Sequence, residues 1–164
     1  MTTAREEILG RIRDAVGGQG GTVRAVDKRL RAHPVNTIPA HGRCDRNACI
    51  NIFVTEAEKV KATVTRITGA DGVPSEVARY LADNNLPPVL RLAPDPRVAG
   101  FPWAGQTLLE VSTGAARSSD MASVCHAFAA VAETGTIVMM SGTENPTTLN
   151  YLPPTHIAVI ANAD

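Results

Sequence analysis

At 164 residues, with 16 basic and 16 acidic side chains and so no formal net charge, the chain has the size of one domain with a substantial core. Balanced charge excludes the field that gathers nucleic acid or an acidic membrane, and an aromatic content of 4% leaves little for base stacking, so no nucleic-acid partner is expected. No apolar run approaches the length needed to cross a bilayer, and the start Met1-Thr-Thr-Ala-Arg-Glu-Glu7 is charged where a secretory leader is apolar, which predicts no membrane insertion and a cytoplasmic location.

In chain order, residues 3 to 16 read as a helix. Thr3 and Glu6 have capping-box spacing, and Ile8, Leu9, Ile12, Ala15 and Val16 fall on one face before Gly17-Gly18. From Gly17 to Asp45 the chain is rich in Gly, Arg, Lys and Pro and predicts an extended, basic, solvated arm. From Asn47 a helical period returns through Ile50, Phe53, Val54, Ala57 and Val60, with Lys59 and Lys61 suiting the helix C-terminus. Ala62 to Ile67 reads as a short strand. Pro74 opens a helix with Val77, Ala78, Leu81 and Ala82 inward, stopped by Asn84-Asn85, and Pro88 to Leu92 is a second strand.

Helix, strand, helix, strand with short links is the rhythm of an α/β domain with a mainly parallel sheet. The second half is richer in strands. After a helical turn and loop over 94–103, strands are expected at 107–111, 123–125, 129–133, 136–140 and 156–160, although Met121, Val124, Phe128 and Val131 also sit at helical spacing. Thr134-Gly135 favours a hairpin turn, since glycine takes positive φ without steric cost. The expected division is an N-terminal helix and arm over 1–46 and an α/β domain over 47–164.

Several groups could carry chemistry. Ser141-Gly-Thr-Glu-Asn-Pro-Thr-Thr148 follows an apolar strand to Met140 that is expected to be buried, and leads into a helical turn with Asn145 as N-cap and Pro146 at N1, an arrangement suited to a small anion or to ordinary capping. Glu133 at the hairpin turn can be a base, a nucleophile or a hydrogen-bond acceptor, or can simply hold a neighbouring N–H. Thr134, Gly135 and Thr136 flank it, as turn residues or as ligand contacts. Thr147, Asn150 and His156 complete the candidate ligand-binding set with Ser141, Gly142 and Asn145, His156 either facing the same cleft or sitting satisfied in the structure. Arg117 with Ser118-Ser-Asp120 reads as an anion contact or a surface loop. Cys125 and His126, adjacent on a strand, point to opposite faces and argue for packing rather than a thiolate pair. His41, Cys44 and Cys49 are too few for a structural zinc site and lack the runs of cysteine that hold iron–sulfur clusters, so no metal is expected. Three cysteines, an odd number with no disulfide framework, suit a reducing compartment.

Ala130-Val-Ala-Glu-Thr-Gly-Thr-Ile-Val-Met-Met-Ser-Gly142, followed by Asn145-Pro-Thr-Thr-Leu-Asn-Tyr-Leu-Pro153 and His156-Ile-Ala-Val-Ile160, resembles the LUD domain family. The likeness extends through Trp103-Ala-Gly105, Gly114-Ala-Ala-Arg117 and the helix–strand pairs from Asn47. The resemblance implies an α/β fold of the NagB/RpiA/CoA-transferase-like kind, with a role in oxidising L-lactate to pyruvate. It implies iron–sulfur lactate utilisation proteins as partners and no cofactor in this chain. The fold analogy also carries the nucleophile reading of Glu133. An alternative is a stand-alone enzyme or binding protein for a small anionic ligand, phosphorylated, acyl-CoA or folate-like. Two departures stand out: relatives continue past the last strand with a motif resembling Gly-Pro-Ser-Arg-Thr-Ala-Asp-Ile-Glu, so the domain is expected to lack its C-terminal part, and Cys125-His-Ala-Phe128 stands where many relatives resemble Thr-Gly-Ala-Asp.

Overall fold

The computed structural model describes residues 3–16, 23–33 and 42–161, and the chain forms two compact units, 1–39 and 40–164. The Gly17-Gly18 stop and His41 lie outside the described residues.

In the first unit α1 spans Ala4–Val16, and its start is closed as the spacing predicts: Thr3 N–H donates to Glu6 Oε2 at 2.8 Å. Ile8 and Ile12 remain 57% and 52% exposed. The expectation of an extended arm is corrected over Val23–Ala32, which is a helix, α2. Its apolar positions Val23, Val26 and Leu30 recur at helical spacing among Arg and Lys and are all exposed, so the period was masked by the charges between them.

The second unit opens with α3, Arg46–Lys59, whose N-cap is Asp45; its carboxylate accepts from Ala48 N–H at 2.9 Å. Just ahead of that cap, Cys44 is disulfide-bonded to Cys49, which corrects the expectation of no disulfide and removes the support it lent to a reducing compartment. The six-residue span with a Cα–Cα distance of 5.8 Å puts the two cysteines within bridging reach across the helix start. Residues 62–67 carry no strand pairing and are almost wholly exposed, so the strand expected there is absent. A β-branched stretch needs a free sheet edge beside it, and Arg66 instead donates to Asn51 Oδ1 of α3 at 2.7 Å.

The core lies between α4, Val73–Asp83, and one face of a four-stranded parallel sheet. The strands are β1 Val89–Leu92, β2 Glu110–Thr113, β3 Ala122–His126 and β6 Thr155–Val159, in the order β2-β1-β3-β6. Val77 and Leu81 of α4 meet Leu90, Leu92, Ala122 and Val124, all buried. Pro74 in the first turn and the C-cap at Asn84 bound α4 as the sequence predicts. Between β1 and β2 lie α5, Pro96–Ala99, and Trp103, whose indole N–H donates to the Val98 carbonyl at 2.8 Å, as a buried Trp requires.

The opposite face is more polar. Register places Ser112, Arg91, Ser123 and His156 side by side across it, because paired residues of parallel strands share a face. Ser123 is fully buried and donates to the Leu149 carbonyl of α6, Thr148–Tyr151, at 2.6 Å. A two-stranded antiparallel ribbon, β4 Ala129–Val131 and β5 Thr136–Val138, completes the unit. The α/β architecture with a parallel sheet, flanking helices and a second-half hairpin is therefore as expected, and the ambiguous stretch before residue 132 resolves to strand. One correction concerns β5, expected to be buried: all three of its residues are exposed.

Candidate functional site

The order β2-β1-β3-β6 contains a reversal. From β1 the chain moves outward to β2, then returns to the other side of β1 for β3. Such a switch point leaves a crevice beyond the carboxyl ends of the two strands, where ligands of open α/β sheets bind. A cleft of about 240 Å3 lies there, lined by Asp95 and Arg97 just after β1, His126 at the end of β3, Phe128 and Met140 of the ribbon stem, and residues 141–145.

Asp95 is set by α5. It is the N-cap, accepting from Arg97 N–H at 2.9 Å, with Pro96 at the first helical position. Its carboxylate is 2% exposed and also accepts from Arg97 Nε at 3.0 Å and Nη2 at 2.7 Å. The guanidinium beside it holds the Asp95 carboxyl below its ordinary value, against the opposing effect of burial. A guanidinium has five N–H donors. Asp95 fixes the Nε–Nη2 edge, and among the described residues Nη1 makes no hydrogen bond, so its donors are open to a ligand.

His126 is held below its usual pKa, first by burial and then by the positive charge of Arg97, so it is a neutral imidazole at physiological pH. Its Nδ1 is buried without a hydrogen-bond partner. Cys125, on the opposite face and fully buried, has its thiol pushed up to about 12, chiefly by burial, and stays protonated.

The 141–145 loop is closed on itself. Gly142 N–H donates to the Asn145 carbonyl and Asn145 N–H to the Gly142 carbonyl, both at 3.2 Å. Asn145 is buried, and its Nδ2 donates to the Met140 carbonyl at 3.1 Å. It is not the cap of α6, as its sequence position suggested. That place belongs to Thr147, which makes no side-chain cap bond. Thr147 Oγ1 instead donates to Ser141 Oγ at 2.7 Å.

The expected residues thus divide. Ser141, Gly142 and Asn145 line the cleft, and Thr147 supports Ser141 from behind. Glu133, Thr134, Gly135 and Thr136 form the far end of the ribbon, docked against α3, and none lines the cleft. Thr134 and Thr136 share a hydrogen bond at 2.8 Å between their hydroxyls, and Glu133 is half-buried with interactions of its own. His156 faces Ser123, three residues below His126 along β3, about 10 Å from the cleft level at strand rise. Burial pushes its pKa down. Asn150 lies in α6 with its Oδ1 buried and unpartnered, and it does not line the cleft. Arg117 offers its backbone N–H to Asp120 Oδ2 at 2.7 Å in an ordinary turn.

Sequence reasoning missed Asp95 and Arg97. The signal was present: Asp95-Pro96 directly after an apolar strand is an N-cap followed by Pro at N1, at the carboxyl end of a parallel strand. Among the described residues, no group of three His, Cys, Asp or Glu side chains is placed to hold a metal ion, and no helix is long and apolar enough to cross a membrane.

Glu144, exposed at the rim, adds a second negative charge beside Arg97. Glu144→Gln is expected to tighten binding of a simple carboxylate such as acetate by about twofold to fivefold, the range of an exposed charge contact. Titration followed by amide chemical shifts checks this, and unchanged affinity would place the carboxylate away from Arg97.

The model of the LUD domain matches residues 50–163, which takes in β1 to β6, the ribbon and every residue lining the cleft. The chain belongs to the LUD domain family. No curated protein and no solved structure matches it.

Proposed function

We propose that the chain is the cluster-free, substrate-side component of a cytoplasmic system that oxidises L-lactate to pyruvate, working beside iron–sulfur partner proteins. Membership of the LUD domain family supports the lactate assignment. The observation that carries the site is the Arg97 guanidinium, pinned along one edge by Asp95 and open along the other, beside the neutral imidazole of His126. An open guanidinium edge fits a carboxylate in a planar, directional way that an ammonium does not. A neutral imidazole can take up one of the protons that the oxidation releases. Conversion of lactate to pyruvate releases two electrons and two protons; the electrons pass to the iron–sulfur partners. Deleting the gene is expected to abolish growth on L-lactate as sole carbon source while leaving growth on pyruvate intact, and restoration should need Arg97. Unimpaired growth on L-lactate, in a strain without a redundant route, overturns the reading.

A second reading has its own support. The cleft stands at the switch point of the sheet whether or not partners are present, so a stand-alone enzyme or binder of a small anionic ligand, with the NagB/RpiA/CoA-transferase-like fold, is the alternative. The size of the cleft favours a small acid over an acyl-CoA or folate-like molecule, since drug-sized ligands need roughly 300–1,000 Å3.

A further inference from the structure

The cleft wall contains an acceptor that the protein leaves unsatisfied. Asn145 is 7% exposed and spends every other polar group internally: its N–H and carbonyl on Gly142, its Nδ2 on the Met140 carbonyl. Only Oδ1 lacks a partner. Met140 fixes which way the amide points, because a turned amide would set its oxygen against another carbonyl oxygen. Buried carbonyl oxygens are almost always paired in folded proteins, so an orphan oxygen on a residue that lines a cleft marks a place for a donor brought from outside.

We infer that Asn145 is the specificity-determining residue of this cleft, accepting a hydrogen bond from the hydroxyl of a small hydroxy acid whose carboxylate lies on Arg97. The inference rests on the reading of the cleft as a carboxylate site and adds to it a requirement for a donor. A 2-hydroxy acid supplies one. Its oxidised 2-keto counterpart carries only acceptors and would set its carbonyl oxygen against Oδ1. The cleft thus holds the reduced acid and rejects the oxidised one, which favours release of product over rebinding. Oδ1 is itself buried, so binding requires the exposed residues 141 to 144 to move aside for the ligand.

The test uses the purified full chain and three acids of the same carbon number: L-lactate, propionate, which lacks the hydroxyl, and pyruvate, which replaces it with a carbonyl. By calorimetric or NMR titration L-lactate is expected to bind about tenfold more tightly than propionate, the difference one hydrogen bond makes, with pyruvate weakest. Asn145→Leu should bring all three to a common, weak affinity, and Arg97→Gln should weaken all three while preserving their order. The ranking in the unaltered protein is decisive even if Asn145→Leu does not fold. Propionate or pyruvate binding as tightly as L-lactate overturns the inference, as does the absence of binding by any of them. Failure of the growth experiment with the ranking intact would remove the lactate system and leave the hydroxy-acid site standing.

Discussion

Replacing Gly135 with alanine is expected to lower the melting temperature by about 5–15 °C, a large effect for a residue away from the cleft. Gly135 sits at φ 62°, the left-handed region, and a Cβ added there would lie 2.6 Å from the Ala57 nitrogen and 2.8 Å from the Glu56 carbonyl carbon. Two costs therefore add. The backbone conformation disfavours any L side chain by about 1 kcal/mol, and forcing atoms into a closed contact costs about 1–3 kcal/mol. The colliding atoms belong to the backbone of α3, which cannot rotate away as a side chain could. The ribbon apex must then leave the helix or α3 must shift, and thermal unfolding of Gly135→Ala beside the unaltered protein reads the result. An unchanged melting temperature would mean that the apex does not rest on α3.

Removing Asp120 is expected to be at least as damaging. Arg91 lies in the middle of β1, almost wholly buried, with its Nε 2.9 Å from Asp120 Oδ2 and its Nη2 3.2 Å from Oδ1. In Asp120→Ala the guanidinium stays buried without its counter-ion, at a cost of about 3–5 kcal/mol. Arg91→Met with Asp120→Ala should recover much of that loss, since replacing both partners of a buried pair by apolar groups is often neutral. The pair also makes stability depend on acid. Arg91 holds the Asp120 carboxyl below its ordinary value of 3.8. A depressed carboxyl contributes its full stabilisation above its unfolded value and loses it as pH falls through the lower folded value. In urea titrations the advantage of the unaltered protein over Asp120→Asn should hold steady above about pH 5 and shrink as the pH falls below 4. A difference independent of pH across that range would show that the carboxylate charge contributes nothing.

The parts of the fold that could be read from sequence are those where local chemistry and burial agree. Thr3 with Glu6, Pro74 with Asn84, and Thr134-Gly135 each carry a terminus or turn in a few residues, and each stands where its chemistry places it. The apolar runs ending at Leu92 and Cys125 are strands because the parallel sheet buries both their faces. Where the reading failed, the deciding partner was remote in sequence. Residues 62–67 have strand-forming side chains but no edge to pair with, and the period of α2 was hidden by Arg and Lys. Asn145 looks like a cap because Pro146 follows it, yet the helix begins two residues later and the amide is committed to Met140.

The candidate site was half legible for the same reason. Ser141, Gly142 and Asn145 were found because a polar loop after an apolar strand is a local pattern. Their partners Asp95 and Arg97 come from the other side of the switch point, some 45 residues earlier, and only strand order brings them together. Glu133 stood out by its position beside a glycine, and that glycine is there for its fit against α3.

The Cys44–Cys49 bridge gives the start of α3 a dependence on electrons. Closing a six-residue loop removes about 2 kcal/mol of unfolded-state entropy, and that amount exists only while two electrons are withheld from the pair. α3 is also the buttress on which the ribbon apex rests. A reductant that opens the bridge therefore lowers the stability of the unit to which α3 and the ribbon both belong.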